Sequence, residues 1–353
     1  MAAVHPRPVA RSAARALACW CSLCCWTASS LRQGGGKAAG SGSLDFQSFL
    51  SGRAAGPSTD DPYSVHLGNY MSFLAYGLLA TEQCGECGPK WLALFRNASS
   101  RDPYWTHVQD LFGLPLVIDS SDATCTPGVG CSMVTKKRPN EADFPPWDVS
   151  KAVFARRLWP HFKLKEQLED RREEVGDQDT LVAHLRGGDI LPRRDLDYLP
   201  APCMFIDHVI RHGNGGGSFN RTVLVSDTED HPCIAYLQAR HPHVLFDART
   251  VEEDILTLMS AKSIALSTSS TFGLTGMLLN PNEDVKVFLP TYTGKTLCCG
   301  GNYDADRLSE LCRISPGSAV YEFSAPELGY VSSRRDWILD DAHFTGVSIH
   351  TCS

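Results

Sequence analysis

Residues 183–190, AHLRGGDI, set an imidazole, a guanidinium, two glycines and a carboxylate at the end of an apolar run. Arg186 offers always-charged donors in a fork that fits two oxygens of a phosphate. Gly187 and Gly188 let backbone approach a ligand closely or turn sharply. Further on, Thr268, Ser269, Ser270 and Thr271 place hydroxyls just ahead of a second apolar run that opens with Phe272. A helix starting there would add free amides and a favourable dipole. Between the two, VLVSDTED ends in Asp227, Thr228, Glu229 and Asp230. Taken singly, LRGG also suits a tight turn and STSST a helix cap. Occurring together, they point to an anionic ligand, and to a diphosphate in particular.

The elements that would carry these groups alternate. TLVAHL (180–185), TVLVS (222–226), HVLFD (243–247), SIALST (263–268) and VKVFL are short apolar runs, read as strands, with VKVFL as the last. CMFIDHVIRHG (203–213), PCIAYLQARHP, VEEDILTLMSAKS and FGLTGMLLNP have helical length, and glycine or proline stops two of them. Near-continuous apolar strands alternating with helices predict a parallel sheet covered on both faces, a doubly wound α/β domain. Ligands of such sheets sit beyond the carboxyl ends of the strands, where the polar tips fall. In the first half, residues 69–83 and 150–170 read as helices, PLVI (115–118) as a strand, and 119–149 as a long irregular connection.

The chain has 353 residues and a net charge of -7, which argues against a general nucleic-acid surface but leaves room for a local basic pocket. Its first 44 residues hold no acid; Arg7, Arg11 and Arg15 precede the apolar run 16–28. That run is shorter than the ~20 residues of a membrane span. A cleaved secretory signal is favoured over a signal anchor, with an organelle transit peptide as the alternative. Residues 1–43 are therefore read as leader plus Gly/Ser linker. Of fourteen cysteines, four lie in the leader; the others favour an oxidising compartment and disulfides, with a Cys125–Cys131 staple as one expectation. Cys84 and Cys87 read as disulfide cysteines rather than a zinc or redox pair. His241 and His243 have no third metal ligand nearby in sequence. Asn97 and Asn220 head glycosylation sequons.

AHLRGGD resembles the His-x-Arg-Arg-Gly-Asp motif of the fucosyltransferase superfamily, shared in variants by α-1,2, α-1,6 and protein O-fucosyltransferases. LGNYMSFLAYGLLA (67–80) is similar to their Gly-x-Gly-Asn loop and following helix. EEDILTLMSAKSIALSTSSTFGLTGMLLN (252–280) is similar to the α-1,2 pattern, and VLVSDTED to the intervening strand. The chain departs from these patterns at Gly187 (the second arginine), at Val65 and His66 (glycines), and at Leu274 and Thr275 (a tryptophan pair). The resemblance implies two Rossmann-like domains of GT-B type: 44–175 on the acceptor side and 176–300 binding the nucleotide sugar, followed by a C-terminal extension, 301–353. It implies fucose transfer from GDP-fucose to a glycan or protein hydroxyl by inverting displacement, without metal or other cofactor, in the ER/Golgi lumen. On this basis Arg186 would stabilise the leaving diphosphate with Ser269, Ser270 and Thr271. His184, Gly68, Asn69, Thr268 and Phe272 would line the cleft, and Asp227 would contact the nucleoside. Asp189 is the candidate base, or else an anchor of its own turn. The alternatives are a non-catalytic nucleotide-sugar-binding relative and a transferase using another GDP-sugar.

Overall fold

The computed structural model describes residues 146–188, 190–191, 200–267, 270–293, 305–324, 334–340 and 347–352, together with some of 67–79 and 108–112. All lie within one compact unit, Asp45–Ser353. The described residues of the first part are mostly helical. Residues described between 67 and 79 and between 108 and 112 are helical, followed by α1 (Trp147–Arg157), a 3-10 turn (Trp159–His161) and α2 (Lys165–Val175). The single helix expected over 150–170 is thus two. Pro160 lies in the turn between them, where its missing N–H and ring cannot continue an α-helix. The irregular connection expected over 119–149 is corrected at its end, where residues 147–149 already belong to α1; its residues 119–145, the PLVI strand, Cys84, Cys87, Cys125 and Cys131 lie outside the described residues. So does most of the ground on which a first Rossmann-like sheet was expected.

The second part alternates as anticipated: β1 (Thr180–Leu185), α3 (Cys203–His212), β2 (Arg221–Ser226), α4 (Pro232–Arg240), β3 (Val244–Phe246), α5 (Val251–Ser260), β4 (Ser263–Ala265), α6 (Thr271–Leu279) and β5 (Lys286–Thr293). VKVFL is not the last strand. α7 (Ala305–Ile314), β6 (Ala319–Ser324), α8 (Arg334–Leu339) and β7 (Ser348–Thr351) follow, so the 301–353 segment adds two strands to the same sheet. The order is β3-β2-β1-β4-β5-β6-β7, with β1 to β6 parallel and β7 antiparallel at the edge. Chain direction across the sheet reverses between β1 and β4. That is the topological switch point, where the connections leave to opposite sides and open a crevice at the carboxyl edge.

Strand periodicity divides the core in two. Leu181, Ala183 and Leu185 of β1 face a cluster with Phe205 and Val209 of α3 and Leu237 of α4. Val182 faces the other way, toward Ile255 of α5, Leu274 of α6 and Phe154 of α1; Leu67, Met71 and Leu111 join that side. Helix starts are defined locally. Thr250 and Glu253 form a reciprocal capping box at α5, and Ser270 caps α6. Among the described residues, the disulfides Cys203–Cys233 and Cys312–Cys352 join α3 to α4 and α7 to the residue after β7.

Candidate anion site at the carboxyl edge

β1 ends on His184 and Leu185, and the chain then leaves the sheet through Arg186, Gly187 and Gly188. The turn closes on the Gly187 carbonyl, which accepts from the amides of Ile190 at 3.2 Å and Leu191 at 2.8 Å. Its own amides go elsewhere. Asp227, at the tip of the neighbouring β2, accepts from Gly187 N–H at 2.9 Å and from Gly188 N–H at 3.0 Å through one oxygen, Oδ1. A carboxylate receiving two amides is a strong, charge-assisted clamp. Asp227 thus holds the turn on which Arg186 stands. A Cβ on Gly187 would lie 2.4 Å from Cδ2 of His231, so that position, where the fucosyltransferase motif has a second arginine, is sterically closed to a side chain.

The β4 tip is organised differently. Ser267 shares a hydrogen bond with Nδ1 of His184 across the switch point at 2.8 Å, both residues being buried. Ser270 is also buried; its Oγ accepts from Gly273 N–H at 3.2 Å, the cap of α6. Thr275 donates its hydroxyl to the Thr271 carbonyl at 2.8 Å. The Phe272 ring sits 5.6 Å from the His184 ring, centroid to centroid. Gly68 comes against this first turn: a Cβ there would meet Phe272 N at 2.3 Å and Thr271 Oγ1 at 2.6 Å. Only a residue without a side chain permits that approach. The fold therefore brings together His184, the Arg186 turn, Asp227, Ser270, Thr271, Phe272 and Gly68. Asn69, Asp189, Thr268 and Ser269 lie outside the described residues.

Burial sets the charge states. It lowers the pKa of His184 from 6.5 to about 4; Asp227 opposes this, and Arg186 and then His231 add to it. His184 is thus a neutral imidazole near pH 7. Burial likewise raises Asp254, on the first turn of α5, from 3.8 to about 7. Arg249 counteracts this shift, Glu253 adds to it, Arg171 counteracts it, and Asp227 adds to it. Arg249 itself buries Nη1 with no hydrogen-bond partner among the described residues. His231, Asp254 and Arg249 did not emerge from the sequence. His231 precedes a helix-starting proline, and Asp254 reads as an ordinary acid at a helix start. Neither pattern signals burial beside a strand tip. Among the described residues no group of three or more His, Cys, Asp or Glu is disposed to hold a metal ion. None of their helices is long and apolar enough to cross a membrane.

The fold is that of a doubly wound α/β protein with polar strand tips at its switch point. No protein-family model matches the chain, and no curated protein matches it. Among solved structures it is similar to the alpha-1,6-fucosyltransferase NodZ soaked with GDP-fucose: 10% identity over 59% of this chain and 54% of that one, with a TM-score of 0.29. Another is fucosyltransferase NodZ from Bradyrhizobium: 12% identity over 58% of this chain and 52% of that one, also with a TM-score of 0.29. The chain spans about half the length of these structures.

Proposed function

We propose that this chain is a glycosyltransferase that binds a nucleotide sugar at the β1–β4 crevice and transfers the sugar, fucose from GDP-fucose in the first instance, to a hydroxyl of a glycan or glycoprotein. One observation carries the reading. The Arg186–Gly187–Gly188 turn, clamped by Asp227, and the capped N-terminus of α6 occupy adjacent strand tips at the switch point. A diphosphate leaving group gains negative charge as its bond to the sugar breaks. A guanidinium carried on that clamped turn and a helix N-terminus at the neighbouring tip are suited to stabilise that charge. Neutral His184 adds no charge of its own and keeps the wall between the two tips packed. Asp189 is the candidate base for the acceptor hydroxyl. The inverting, metal-independent displacement and the secretory-pathway lumen belong to this reading through the sequence resemblance.

The second reading, a nucleotide-sugar-binding protein without turnover, is favoured by Gly187, whose surroundings leave the turn one arginine. Titration calorimetry with GDP and UDP, followed by incubation with a panel of labelled nucleotide sugars, separates the two. Tight GDP binding with sugar release or transfer supports the enzyme; GDP binding without turnover supports the binder; no nucleotide binding ends both. Arg186→Ala is expected to weaken GDP binding by about a hundredfold, within the range for truncating one partner of a desolvated charge pair.

A further inference from the structure

The Arg186 turn has a carboxylate above its amides and an imidazole beneath its α-carbon. The imidazole belongs to His231, which is 3% exposed and caps α4 by accepting the Cys233 amide at Nδ1, 3.2 Å away. That bond leaves Nδ1 unprotonated and fixes the ring plane. Pro232 follows at the first position of α4, and Cys233, also buried, is joined to Cys203 of α3. His231 is thus held by its own helix start, which the Cys233 disulfide ties to the preceding helix α3. A Cβ added at Gly187 would meet not only the ring but also Leu191 Cδ1 at 3.0 Å and Thr228 Cγ2 at 3.1 Å, so the glycine rests on a packed floor of which the ring is the nearest part.

Histidine is not a preferred helix cap. Serine, aspartate and asparagine satisfy the same amide with far less volume. A small cap here would leave a void under Gly187. We propose that His231 is a positioning residue of the nucleotide site: its ring, pinned by α4 and the Cys203–Cys233 bond, supports the Gly187–Gly188 turn and so sets where Arg186 stands. The inference rests on the diphosphate reading only for its effect on nucleotide affinity. The support of the turn is testable without any ligand.

His231→Ser tests it, because serine keeps the cap and removes the ring; His231→Asn is the second variant should the first fold poorly. Amide exchange at Gly187 and Gly188 is measured in the full chain, alongside Tm and GDP titration. His231→Ser is expected to speed exchange at both amides by about tenfold or more and to raise the GDP dissociation constant by about tenfold, with most of the cap's contribution to Tm retained. Gly187→Ala, alone, is expected to weaken GDP binding through the clash with the ring. Combined with His231→Ser, its methyl occupies the void, and affinity recovers toward wild type. Unchanged exchange in His231→Ser, or a double variant whose losses simply add, overturns the proposal. A wild-type chain that binds no GDP sinks the nucleotide reading alone, since the exchange measurement still decides the role of His231.

Discussion

The two strand tips at the switch point do related work but are held in place by different means. The α6 start is organised by its own residues: Ser270 caps it, and Thr275 returns to the Thr271 carbonyl. The Arg186 turn borrows its order from elsewhere, its amides taken by Asp227 of β2 and its floor made by His231 ahead of α4. A helix N-terminus carries its dipole and cap with it. A Gly-Gly turn has no such internal ladder and the largest backbone entropy to lose. A cation displayed on it needs outside restraint if it is to be preorganised.

The largest effect is expected from removing the borrowed clamp. Asp227→Ala leaves two turn amides without their acceptor, each bond to a charged group being worth about 1.5–3 kcal/mol. GDP affinity measured by calorimetry is expected to fall at least a hundredfold. A loss under threefold would show that the turn orders itself after all.

A medium effect comes from the two buried titrating groups behind the tips. His184 is depressed from 6.5 to about 4, so its contribution is complete above pH 6.5 and is lost as pH falls toward 4. Asp254 is raised from 3.8 to about 7, so its contribution is complete below pH 3.8 and is lost as pH rises through 7. Between pH 4 and 6.5 the two slopes oppose each other. Asp254→Asn is expected to stabilise the protein by about 2 kcal/mol at pH 8, a value discounted for partial solvent access, and to change little at pH 4. Urea unfolding at the two pH values checks this, and equal effects at both would remove the assigned shift.

The smallest effect is expected at the self-ordered tip. Ser270→Ala removes the α6 cap at a cost of about 1 kcal/mol in stability, with GDP affinity changed less than threefold. A larger loss of affinity than of stability would mean that the Ser270 hydroxyl serves the ligand directly, and the two tips would then be less different than their hydrogen bonds indicate.

Much of the architecture was legible because its signals are local. β1 begins and ends where the apolar run TLVAHL does, and α3 stops at Gly213 as its sequence indicates. The helix over 150–170 was overextended, because apolar spacing continues through Pro160 while backbone geometry does not. β7 could not be seen in SIHT, four exposed residues whose strand character comes from pairing with β6. The pairing of Cys203 with Cys233 was equally closed to a linear reading, since thirty residues separate them and any of several partners was open. Of the site, Arg186, Ser270 and Thr271 were placed by their positions at strand and helix ends. His231, Arg249 and Asp254 were missed, because what distinguishes them is what surrounds them.

Local sequence signals specify the alternation of strands and helices, and hence a parallel sheet with a guanidinium, paired glycines and hydroxyls along its carboxyl edge. Periodicity and capping preferences act over a few residues and need nothing more distant. Tertiary structure decided that β1 and β4 are neighbours, that Asp227 turns its carboxylate onto Gly187 and Gly188, and that a buried imidazole stays neutral while a buried carboxyl keeps its proton to about pH 7. Those outcomes depend on distances across the sheet and on the exclusion of water, and both arise only when the chain closes on itself.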